Sequence, residues 1–160
     1  YLLSCNTGEI VAVFMAILLN FPLPLIPLQI LLMNLLTDGL PALGLSTEAA
    51  DEDIMQRPPR DPREKPLQKD MLMTIGIFGL VMGVGTLAIF NVYTDQGLDY
   101  ARTVAFTTLV MYEMFAVLGS RSLSAFKHLN LFNNKWLLLS VVSSILLQMA
   151  VLYVPALQVV

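Results

Sequence analysis

Runs of apolar residues divide the chain at roughly 2–21, 25–46, 71–94, 102–119 and 136–154. Each run is near the ~20 residues that a helix needs to cross a bilayer. The runs are continuous rather than alternating, which argues for helices and against barrel strands. The pattern predicts an all-α fold, a polytopic transmembrane helix bundle of about five spans. The fourth run is short and is expected to extend into a flank.

The connections differ in character. The first, Phe21-Pro22-Leu23-Pro24, is short and uncharged. The second, 47–70, holds seven acidic and five basic residues and is rich in proline (Pro58, Pro59, Pro62, Pro66). Those prolines favour an extended path, read either as a solvated connector or as a docking surface for a cytoplasmic domain. The third, 95–101, is short and acidic, and the fourth, 120–135, carries Arg121, Lys127 and Lys135. Loops 47–70 and 120–135 together contain eight of the nine Lys and Arg, so the positive-inside rule makes them cytoplasmic. The chain then starts in the cytoplasm and ends outside.

Composition sharpens this. Hydrophobic residues make up 56% of the chain and charged residues 13%, with mean hydropathy +0.71. A soluble domain carries about a quarter charged residues. Disordered chains are poor in apolar residues, so disorder is excluded as well. The expected location is an integral, multi-pass membrane protein in contact with the lipid bilayer. The net charge of −3 and the absence of a basic stripe give no sign of a nucleic-acid partner. A single cysteine, Cys5, excludes a disulfide framework and reads as a small packing residue. The single His128 excludes a histidine-cluster metal site. The chain opens on apolar sequence without the basic region of a signal peptide and reads as part of a longer protein.

Charged groups at mid-bilayer are costly, so carboxylates within spans are functional candidates. Glu9, Asp38 and Glu113 are such groups, and Asn6, Asn34 and Thr37 add neutral oxygen donors. Asn6 and Glu9 are three apart and share a helix face, as do Asn34 and Asp38, four apart. None of the six offers thiolate or imidazole, which suits a hard cation such as Ca²⁺. Gly39 and Pro41 follow Asp38, and Pro41 removes a backbone hydrogen bond to position 37. Irregular backbone at membrane depth is tolerated where it lines a cavity, and discontinuous helices recur at transporter ion sites. Each donor also has a packing reading. Asn6 and Thr37 serve equally as ligands or as interhelical hydrogen-bond links, whereas Gln29 and Gln148 read as links rather than ligands. The glycines at 76, 79, 83 and 85 read as a close helix-packing face.

Several of these stretches resemble one family. Asn34-Leu35-Leu36-Thr37-Asp38-Gly39-Leu40-Pro41-Ala42 is similar to the sixth transmembrane helix of P-type calcium-transporting ATPases. Asp53-Ile54-Met55-Gln56-Arg57-Pro58-Pro59-Arg60 resembles the loop that follows it. Tyr1 to Glu9, Tyr112-Glu113-Met114 and Trp136 to Tyr153 resemble the fifth, eighth and ninth helices. The resemblance is to the C-terminal transmembrane half of a sarco/endoplasmic-reticulum-like pump, helices five to nine, and covers residues 1–160 as one cation-transport domain.

The resemblance implies a ligand set. Asn6, Glu9, Thr37, Asp38 and Glu113 match one calcium site, and Asn34 and Asp38 match part of a second, so that Asp38 bridges both. It also implies partners outside this chain: helices one to four and ten, and cytoplasmic domains that bind ATP and Mg²⁺. No phosphorylation motif of the family and no P-loop occurs here, so the chain alone is not catalytic. The implied function is the ion-binding part of an ATP-driven pump moving Ca²⁺ out of the cytoplasm. Its three carboxylates would repel one another without a cation, so proton countertransport is expected with it. A bacterial plasma membrane is favoured over an endoplasmic-reticulum-type one. The alternatives are a passive cation channel, a secondary cation transporter, or a regulatory membrane module.

Overall fold

A computed structural model of the chain describes residues 1–48, 67–120, 134–155 and 157. The described residues form helices and turns, with no strand among them. Most of loops 47–70 and 120–135, including the stretch Asp53 to Arg60 and His128, lies outside the described residues.

Helix α1 runs Leu2–Leu18. It ends because Asn20 turns into the left-handed region at φ 58°, a conformation that asparagine tolerates better than most residues. The turn lets Asn20 N–H reach the Ile17 carbonyl at 3.1 Å and Phe21 N–H the Ala16 carbonyl at 2.8 Å. Two carbonyls at the helix end are satisfied in this way.

The next span is discontinuous. Helix α2, Pro27–Leu32, starts with proline at its first position, where no N–H is needed. Gln29 supports that start, its Oε1 accepting from Ile26 N–H at 3.1 Å. A π-helical turn covers Met33–Thr37, closed by Asp38 N–H donating to the Met33 carbonyl at 2.8 Å. Helix α3, Gly39–Ser46, resumes the ordinary register, with Ala42 N–H on the Asp38 carbonyl at 3.0 Å. Pro41 cannot donate to Thr37, so the ladder lacks a bond where the wide turn ends.

Helix α4 spans Lys69–Tyr93, α5 spans Leu98–Gly119 and α6 spans Lys135–Tyr153. Gly97, at φ +121°, makes the reversal between α4 and α5 that residues with a β-carbon disfavour. Four stretches are long and apolar enough to cross a membrane: Pro27–Ser46, Lys69–Gln96, Leu98–Gly119 and Lys135–Tyr153. The fifth, α1, is a 17-residue apolar helix. Large apolar side chains such as Ile10, Phe14, Leu43, Phe115 and Leu146 face outward, as lipid-facing positions do.

Packing assigns neighbours. α1 lies along α4, α4 along α5, and α3 along α6. The α1–α4 seam depends on small residues. A β-carbon at Gly83 would sit 2.6 Å from Val11 Cβ and 2.7 Å from the Gly8 carbonyl oxygen. One at Gly79 would lie 2.5 Å from Thr7 Cγ2. Such seams let helix backbones approach without side chains between them. Gly85 faces the Tyr112 hydroxyl on α5 instead, and Gly76 meets nothing within 4 Å. The predicted glycine face therefore divides between two neighbours and open space.

Polar links join the remaining pairs. Gln148 Nε2 on α6 donates to Thr107 Oγ1 on α5 at 3.0 Å. Asn134 caps α6 by accepting from Leu137 N–H at 3.0 Å. Its amide also donates to the Gly44 carbonyl at 3.2 Å and to Glu48 Oε2 at 2.8 Å, tying the start of α6 to the end of α3.

Candidate metal centre

Acidic side chains from α1, the π-helical turn and α5 converge inside the bundle. Glu9 stands mid-way along α1 and is buried. Asp38 closes the π-helical turn, and Glu113 lies on α5; both are fully buried. Glu113 is six residues before the end of α5, about 9 Å along its axis. It therefore lies in the half of the bundle nearest the basic connections.

Two groups of side chains result. In the first, Asn34 Nδ2 donates to both carboxylate oxygens of Glu9, at 2.9 and 2.8 Å. The same nitrogen also donates to the Ile30 carbonyl at 3.0 Å. In the second, the Tyr1 hydroxyl donates to Asp38 Oδ1 at 2.8 Å. Asp38 Oδ2 and both oxygens of Glu113 are buried with no hydrogen-bond partner among the described residues. Thr37 lies alongside Glu113, its hydroxyl donating to the Met33 carbonyl at 3.1 Å. The two groups are near enough that Glu9 and Asp38 both act electrostatically on Glu113.

No described Lys or Arg offsets these charges. Lys69 and Lys135 begin α4 and α6. Arg102, near the start of α5, donates to the Leu23 carbonyl at 3.1 Å and pairs with Asp99 at 3.6 Å. It is eleven residues from Glu113, about 16 Å along the helix. An ionised carboxylate in a dry interior without a partner costs several kcal/mol, so this arrangement requires a bound cation or protons.

Asn34 and Asp38, four apart on the interrupted helix, have different partners. Asn34 is exposed and reaches Glu9, whereas Asp38 points inward to Tyr1. Asn6 is half-buried one turn before Glu9, and no hydrogen bond among the described residues joins it to either group.

Two residues escaped the reading of the sequence. Tyr1, at the N-cap of α1, and Cys5 on the helix stand eight and four residues before Glu9, on the same face. The thiol of Cys5, one carboxylate oxygen of Asp38 and one of Glu113 lie within 4.8 Å of one another. The spacing 1, 5, 9 was the available signal, although a tyrosine and a cysteine on an apolar face are more often packing residues.

Comparison with known proteins fits this geometry. The family model described as "Cation transporting ATPase, C-terminus" matches residues 22–160. The chain belongs to this family. A calcium-transporting ATPase of Bacillus subtilis is 43% identical over 161 residues, covering 99% of this chain and 18% of the relative. Human calcium-transporting ATPase type 2C member 1 is 35% identical, covering 98% of the chain and 17% of the relative. The endoplasmic reticulum calcium ATPase srcA of Aspergillus fumigatus is 34% identical, covering 99% and 20%. This cation-transporting ATPase segment therefore spans about a fifth of the length of those relatives. Its resemblance to the C-terminal membrane part of P-type calcium-transporting ATPases runs through nearly all of its residues.

Proposed function

We propose that this chain is the ion-binding membrane part of an ATP-driven calcium pump that exports Ca²⁺ from the cytoplasm. The observation that carries the reading is the cluster itself. Three buried carboxylates from three elements meet at a π-helical turn, with no described Lys or Arg beside them. Glu9, Asp38 and Glu113 would supply charge, and Asn6, Asn34 and Thr37 neutral oxygens, to a cation that takes six to eight oxygen ligands. Asp38 is the natural shared ligand, because it stands beside Glu113 and acts electrostatically on Glu9 as well. ATP and Mg²⁺ would be handled by cytoplasmic domains outside this chain, and helices beyond it would complete the ion sites.

The reading includes proton countertransport. When Ca²⁺ leaves, the carboxylates need another source of positive charge, and protons from the far side meet that need. The higher identity to the Bacillus relative supports a bacterial plasma membrane as the location.

The test uses the full-length protein in native membranes. Labelled ATP with Ca²⁺ is expected to give an acid-stable, hydroxylamine-sensitive phosphoprotein, and Asp38→Asn is expected to remove the calcium dependence. Labelling driven by another cation would keep the family and replace the ion. Calcium uptake into sealed vesicles at clamped potential, with no opposing proton movement, would overturn the exchange.

A further inference from the structure

The geometry points to Cys5 as a sulfur ligand in the candidate centre, making it a site for a thiophilic divalent cation of the Zn²⁺ and Cd²⁺ class. This inference rests on the proposed ion site and adds a residue that sets its selectivity. The six donors named from the sequence all offer oxygen, whereas the folded chain adds a thiol. Cys5 is fully buried and lies within 4.8 Å of carboxylate oxygens of both Asp38 and Glu113. Two ligand atoms held by one cation at about 2.3–2.5 Å lie at most about 5 Å apart, so the separations in this group are within reach of a single ion.

An independent observation points into the same space. Glu113 is fully buried, and neither of its oxygens has a hydrogen-bond partner among the described residues. Asp38 Oδ2 is likewise without one, while Oδ1 is held by Tyr1. Cys5 itself belongs to an apolar core cluster with Met33, Met82, Phe106 and Leu109. One sulfur and two carboxylates form a three-ligand set, to which zinc adds a fourth donor. Thiolate favours softer ions over Ca²⁺, so Cys5 would widen the ion range of a site whose other donors are hard.

The experiment measures displacement of labelled Ca²⁺ by Cd²⁺ on the full-length protein in membranes, for wild type, Cys5→Ser and Cys5→Ala. Loss of even an outer-shell partner typically weakens metal binding about 10- to 100-fold. Replacing Cys5 is therefore expected to weaken Cd²⁺ at least about tenfold more than it weakens Ca²⁺. A sulfur-to-cadmium charge-transfer absorption, seen as a difference between wild type and Cys5→Ser, should disappear with the thiol. Equal weakening of both ions, or unchanged Cd²⁺ competition, would overturn the inference and leave the calcium site standing. Cys5-dependent Cd²⁺ binding in a protein that binds no Ca²⁺ would keep the sulfur ligand and overturn the calcium reading.

Discussion

The amide of Asn34 holds both carboxylate oxygens of Glu9, at 2.9 and 2.8 Å, across the gap between the interrupted helix and α1. A hydrogen bond to a charged group contributes about 1.5–3 kcal/mol, so the two side chains should act as a unit. Glu9→Gln and Asn34→Ala are each expected to weaken Ca²⁺ binding in the full-length protein. The double variant should lose less than the sum, with a coupling of about 1–3 kcal/mol. Equilibrium binding of labelled Ca²⁺ to the four proteins checks this, and strict additivity would count against the pair.

Asp38 and Glu113 should separate in their effects. In the proposed centre Asp38 is shared by both ion sites, whereas Glu113 serves one. Asp38→Asn is expected to abolish Ca²⁺ binding, and Glu113→Gln to remove one class of site while leaving the other. Stoichiometry of bound Ca²⁺ across a concentration series distinguishes these outcomes. Equal stoichiometry in wild type and Asp38→Asn would refute the assignment of the centre.

The glycines of α4 provide a paired test of helix packing. Gly83→Ala places a methyl group 2.6 Å from Val11 Cβ and against the Gly8 carbonyl. Overpacking of this kind costs about 1–3 kcal/mol. Gly76→Ala meets nothing within 4 Å and should stabilise α4 by up to about 1 kcal/mol through helix propensity. Thermal unfolding of the full-length protein in detergent should therefore shift down for the first and stay level or rise for the second.

Asn134 performs several tasks with one side chain. It caps α6 through Leu137 N–H and ties that helix to Gly44 and Glu48. Loss of an N-cap costs about 0.5–2 kcal/mol, and each lost interhelical hydrogen bond about 1 kcal/mol. Asn134→Ala is expected to destabilise the bundle by about 2.5–4 kcal/mol, and Asn134→Ser to recover only the cap. Unfolding in a denaturant series, at fixed detergent, measures the difference between the two variants.

Much of this was readable along the chain. Apolar runs near twenty residues located the helices, because a bilayer sets that length regardless of what packs beside them. Glu9, Asp38 and Glu113 stood out because charge inside such runs is costly. Pro41 marked a weakened ladder, because proline has no N–H to donate. What one helix's periodicity cannot specify is its rotation and height relative to its neighbours. That relative placement brought Cys5 beside Glu113, joined Tyr1 to Asp38, and turned Asn34 toward Glu9. The chemistry of each donor was thus a property of its residue type and local apolar context. The grouping of donors arose only when the Gly79 and Gly83 seam, the turn at Met33–Thr37 and the Asn134 tie set how closely the helices approach.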